Sequence, residues 1–113
     1  MDSGQELFEA RERIRQSLET SLKRAYENGL EMAEKTREYR IALREEVLRL
    51  RADGMPVSIV EKIAKGENRV AQAEFEMMVS EVKYKASNEN IMAQKKLYES
   101  IEADIKREYY KGD

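Results

Sequence analysis

Apolar and small residues recur along the first half of the chain at Leu18, Leu22, Ala25, Gly29, Met32, Thr36, Tyr39, Leu43, Val47 and Leu50. Every step is three or four residues, the spacing that traces one stripe along one α-helix. No proline interrupts the run up to Ala52, and Ser3-x-x-Glu6 has the form of a capping box at its start. The pattern predicts a helix over about 4–52. At 1.5 Å per residue it would reach about 70 Å, wider than a globule of this length, so the chain is expected to be a rod.

Punctuation comes in the middle. Ala52-Asp53-Gly54-Met55-Pro56 joins a glycine suited to a left-handed helix cap with a proline two residues later, and Gly66 is a second stop. Between them, Ile59, Val60 and Ile63 give one greasy face, and Ser58-x-x-Glu61 is again a capping-box pattern. The reading is a turn at 53–57, a short helix over about 58–65 and a second long helix over about 68–110. The expected fold is all-α: one domain over 1–113, a long antiparallel, coiled-coil-like helical hairpin with a short helix at its tip.

The second long helix carries two stripes. One is Ala71, Phe75, Met78, Val79, Val82, Ala86, Ala93, Leu97 and Ile101. The other, Met77, Tyr84, Ile91, Tyr98 and Ile105, repeats every seven residues, the period of a left-handed supercoil. Met77 and Tyr84 stand roughly opposite Phe75 and Val82, and one partner helix cannot cover both sides. The seven-residue stripe is therefore the candidate self-association surface, and the expected state is a homo-oligomer. The alternative is that it covers the short helix and the first turns through Leu7, Phe8 and Ile14.

Composition narrows the chemistry. The chain has no histidine and no cysteine, so it lacks an imidazole base, a thiolate and the usual zinc, haem or iron–sulfur ligands. There is no phosphate-binding glycine loop. An enzyme, a cofactor and a small-molecule ligand are not expected. Apolar runs are too short to span a bilayer, and the first six residues lack the basic start and apolar stretch of a signal peptide, so a cytoplasmic protein is expected. The 21 basic residues nearly cancel 23 acidic ones, leaving a net charge of −2, which argues against strong nonspecific DNA binding by one copy.

Two basic features remain. Arg37, Arg40, Arg44 and Arg51 share one face of the first helix, where arginine forks can follow phosphates, and Tyr26 and Tyr39 offer rings for stacking. Lys106, Arg107, Tyr109 and Tyr110 form a basic, aromatic end. Together they are the candidate contacts to single-stranded nucleic acid. The plainer reading pairs the arginines with Glu34, Glu38, Glu45 and Glu46 on the same helix or with Glu74, Glu76 and Glu81 across the seam, and sets the terminal cations against the helix dipole.

The stretches Tyr39-Arg40-Ile41-Ala42-Leu43, Leu50 through Val57, Ile63 through Glu67, Tyr84-Lys85-Ala86 and Ile105 through Tyr109 resemble a group of helical proteins encoded by phages and prophages of Gram-positive bacteria. The resemblance covers about residues 25–110, and Tyr109 stands where tryptophan is expected. It implies a non-enzymatic phage protein in the cytoplasm of a bacterial host, among functions of DNA replication and recombination. The Lys/Arg-rich helix and the final Tyr-Tyr-x-Gly are also similar to the UvsY-type recombination mediator family, which implies an oligomer handling single strands. Three functions follow as expectations. The first is a self-associating interaction or adaptor protein that binds a phage or host protein. The second is a single-stranded nucleic-acid accessory factor, and the third an inhibitor of a host defence nuclease.

Overall fold

No proline interrupts the chain up to Ala52, so the first helix runs through Gly29 and continues until Gly54 ends it. The computed structural model describes residues 3–110, with side chains from residue 4. Helix α1 spans Ser3–Ala52, α2 Val57–Lys65 and α3 Asn68–Tyr110. The described chain is all-helical, and α1 and α3 pack against each other with the short α2 between them in sequence.

Gly54 ends α1 with φ of 94°, a left-handed conformation that costs glycine least. Its N–H donates to the Arg51 carbonyl at 3.0 Å and the Met55 N–H to the Leu50 carbonyl at 3.0 Å, the paired bonds of a Schellman ending. Pro56 then holds an extended backbone, and its carbonyl accepts from Ile59 and Val60 as α2 begins. The Ser58–Glu61 capping box is not formed. Pro56 occupies the cap without a side-chain hydrogen bond, which leaves Ser58 inside the helix. The cap of α3 is one that sequence reading missed. Glu67 Oε2 accepts from the backbone N–H of Arg69 at 2.9 Å and of Val70 at 3.2 Å, satisfying two donors orphaned at the helix start. The cap expected of Ser3 lies outside the described side chains.

Contacts gather the chain into two units. One holds residues up to Glu27 and residues from Lys85, and the other Asn28–Tyr84.

In the first unit, α1 turns Leu7, Arg11, Ile14, Leu18, Ser21 and Ala25 inward, at alternating steps of four and three. From α3, Ser87, Ile91, Gln94, Tyr98, Ile101 and Ile105 keep the same alternation. Ala25, Ile91 and Ile105 are buried. Polar pairs cross the seam: Arg11 Nη1 donates to Glu102 Oε1 at 2.9 Å, Asn90 Nδ2 to Ser21 Oγ at 3.1 Å and Gln94 Nε2 to Ser17 Oγ at 3.2 Å. At the end of the unit the Phe8 and Tyr109 rings lie 5.2 Å apart, Arg11 stands 4.9 Å above Phe8, and the Tyr109 ring lies over Gly4, where a side chain would have to displace its hydroxyl end.

In the second unit the alternation runs through Asn28, Met32, Lys35, Tyr39, Ala42 and Glu46 on α1 and Val70, Ala73, Met77, Ser80 and Tyr84 on α3. The Tyr84 ring lies 3.1 Å from where a Cβ on Gly29 would stand. A second inward line on α1, through Leu43, Val47 and Leu50, is half-buried where α2 buries Val60 and Ala64.

These seams correct the self-association surface. Met77 and Tyr84 in one unit, and Ile91, Tyr98 and Ile105 in the other, are half-buried or buried residues of the hairpin's own packing. They keep heptad phase with α1, and one partner helix covers them. The other stripe of α3 is the uncovered one, with Ile101 the exception at half-buried. In the first unit Leu7 and Ile14 share the seam with Ile91, Tyr98 and Ile105, so this part of the stripe meets the first turns of α1, as the alternative expects.

Candidate interaction surfaces

Helix α3 turns a second apolar line away from the seam because residues two positions apart point to nearly opposite sides of a helix. Within Asn28–Tyr84 this line is Phe75, Met78, Val79 and Val82, at i, i+3, i+4 and i+7. Phe75 is 61% and Val82 68% exposed, with Met78 and Val79 between them exposed as well. Four such side chains present roughly 400 Å² of apolar surface, the scale at which an exposed patch marks an interaction site. Sequence reading found the line but set it in the core.

The arginine row belongs to the same unit, and its members differ. Arg37 Nη2 donates to Glu34 Oε1 at 2.7 Å, and this carboxylate raises the Arg37 pKa above its ordinary range. Arg51 Nη1 donates to the Met55 carbonyl at 2.7 Å. Arg40 and Arg44 are exposed and line a groove of about 370 Å³ between α1 and α2. Its apolar part is Leu43, Val47, Val57 and Val60, and Glu61 lies along it. Sequence reading found the arginines and missed the groove, because nothing in α1 alone shows where α2 folds back.

The pairing of this row with α3 acids is also corrected. Glu74 accepts from Tyr39, and Glu76 lies 3.8 Å from Lys35. Burial first, and the Glu74 carboxylate second, raise the Tyr39 phenol above its usual range. Tyr39 is therefore a packing residue, while Tyr26 is exposed. Among the described residues, Glu34 is the one of the four expected acids that hydrogen-bonds to the row. Glu38 pairs with Lys35 at 3.3 Å, Glu45 with Arg69 at 3.1 Å, and Glu46 with Arg49 at 2.6 Å. The hydrogen bond from Arg49 holds the Glu46 carboxyl below the usual carboxylate range.

Lys106, Arg107, Tyr109 and Tyr110 belong to the other unit, so the structure gathers the candidate nucleic-acid contacts as two separate sets. All four are exposed. Arg107 pairs with Asp104, and the Tyr109 ring is committed to Phe8 and Gly4. Lys106 and Tyr110 project freely from the last turn, and the glycine of the Tyr-Tyr-x-Gly ending lies outside the described residues.

Among the described residues no three acidic side chains converge on a metal position, and no helix is long and apolar enough to cross a membrane. Compared with protein-family models, with curated proteins and with solved structures, the chain matches none.

Proposed function

We propose that this protein is a non-enzymatic helical interaction protein that self-associates through the outward face of α3. One observation carries the reading: Phe75, Met78, Val79 and Val82 form a continuous exposed apolar line on a helix whose opposite side is already packed. Exposed apolar surface of this extent is unfavourable in water at roughly 25 cal/mol per Å². A second copy presenting the same line covers it by isologous contact, the commonest form of homo-oligomer interface. The resemblance to helical phage proteins fits a small assembly module of this kind.

Sedimentation velocity across a hundredfold range of concentration tests it. The wild-type chain is expected to grow heavier than a monomer as concentration rises. The Phe75→Ser/Val82→Ser double variant should stay monomeric with undiminished helicity. A wild-type monomer throughout, or a variant that associates like the parent, refutes the reading.

A further inference from the structure

A different surface carries a second binding assignment. It begins with the ion pairs of Asn28–Tyr84. Glu31 holds Lys83 at 2.6 Å, Glu34 holds Arg37, Glu38 holds Lys35 and Glu45 holds Arg69. Arg49 lies between Glu46 and Asp53, and Lys65 holds Glu61 at 3.4 Å. Glu67 caps α3 and Glu74 accepts from Tyr39. Among the described residues of this unit Arg40, Arg44, Arg51 and Lys62 have no acidic partner, and the three arginines fall on one line of α1. In a unit with nearly balanced charge, two of these unpaired guanidiniums, Arg40 and Arg44, line the groove between α1 and α2.

We infer that this groove binds an acidic amphipathic peptide segment of a partner protein. The floor supplies apolar contact through Leu43, Val47, Val57 and Val60. Val57 is 70% exposed at the first position of α2, a large apolar side chain with no cover. Arg40 and Arg44 stand one helical turn apart, about 6 Å along the axis, the spacing of carboxylates at i and i+4 on a partner helix. Each guanidinium fork matches a carboxylate in planar, two-bond geometry.

A nucleic acid fits less well. No aromatic ring lines the groove for a base to stack on. An apolar floor rewards leucine-like side chains and leaves ribose and phosphate unserved. Glu61 pairs with Lys65 at 3.4 Å, and Arg40 and Arg44 stand at the rim without an acidic partner.

The test is a selection on the intact chain. A library of random 12-residue peptides is panned against the wild type, with the Arg40→Gln/Arg44→Gln double variant as counter-target. Both positions are exposed and unpaired, so the variant should keep its helicity and its urea midpoint. Enriched peptides are expected to carry two acids three or four residues apart with apolar residues beside them. Binding of a labelled selected peptide should weaken about tenfold in the double variant and in Val57→Asp. Arg37→Gln, which alters an arginine already paired on the same helix, should change it less than about twofold.

Failure to enrich any peptide over the counter-target overturns the inference. So does enrichment of peptides without acids, or equal loss in Arg37→Gln. A thymidine 20-mer is assayed in parallel. Saturable binding of that strand, abolished by the double variant and tighter than any selected peptide, assigns the groove to nucleic acid and overturns the inference as well.

Discussion

Ile91 and Met92 are neighbours on α3 that face opposite environments, and they test which stripe holds the hairpin. Ile91 is 8% exposed, while Met92 is 60% exposed. Truncating Ile91 to alanine removes three carbons from packing at about 0.8 kcal/mol each, and the gap that remains adds a cavity cost. A seam two helices thick can close part of that gap, so the expected loss is about 2–3 kcal/mol. For a domain of this size that lowers the melting temperature by roughly 8–15 °C. Met92→Ala changes a side chain already in water and should cost no more than about 0.5 kcal/mol. Urea unfolding followed by circular dichroism at 222 nm measures both. Running it at two protein concentrations separates stability from mass action. A Met92→Ala loss equal to that of Ile91→Ala would refute the assignment of the seam, as would an Ile91→Ala loss below about 1 kcal/mol.

Four further outcomes follow from single contacts. Gln94 sits at a seam position with its Oε1 buried and without a hydrogen-bond partner, so Gln94→Leu should raise stability by about 1 kcal/mol in the same urea assay despite losing the bond to Ser17. Glu67→Ala removes the acceptor of two helix-start donors and should cost about 0.5–2 kcal/mol, with the loss confined to that cap and absent in Glu67→Asp if the shorter carboxylate still reaches. The Tyr39 phenol is raised above its unfolded value, so the stability it lends is complete below about pH 10 and falls as pH rises toward its folded pKa. Unfolding free energies at pH 8 and pH 10.5 should therefore diverge less in Tyr39→Phe than in the wild type. Gly29→Val should cost about 1–3 kcal/mol by pushing on the Tyr84 ring, and a double-mutant cycle with Tyr84→Ala should show most of that cost disappearing.

The helices were legible because their signals are local. Gly54, Pro56 and Gly66 break the backbone wherever they stand, and the observed ends lie within a residue of those expected. The side of α3 that packs was not legible from hydrophobicity. Its seam alternates large residues such as Met77, Tyr84 and Ile91 with Ser80, Ser87 and Gln94, while the outward line holds Phe75, Met78 and Val82. Within Asn28–Tyr84 the greasier face of α3 is the exposed one. Phase was the better signal. Arg11, Leu18, Ala25, Met32, Tyr39 and Glu46 on α1 repeat every seven residues, just as Met77 through Ile105 do on α3. An apolar filter hid that match because Arg11, Lys35 and Glu46 occupy seam positions. Their aliphatic stems pack while the charged ends find partners. Arg40 and Arg44 were visible as a row, but which arginines lack an acid depends on rotamers and on α3 partners such as Arg69, which takes Glu45.

A polar seam and an apolar exterior belong to one design. Serine and amide pairs such as Asn90 with Ser21 and Gln94 with Ser17 add little net stability, yet a slipped register leaves the buried Ser21 hydroxyl without its partner. The hairpin can thus fix its alignment with modest apolar burial. It does not need Phe75, Met78, Val79 and Val82 for that purpose, since they touch neither the seam nor its register. Their exposure works against solubility, and charged residues at the same positions would keep the helix and remove the hazard. A Phe75→Lys/Val82→Glu variant should therefore match the wild type in urea midpoint at low concentration, where no partner copy contributes. If that variant instead unfolds more readily there, the outward line supports the hairpin itself, and the argument that it exists for association fails.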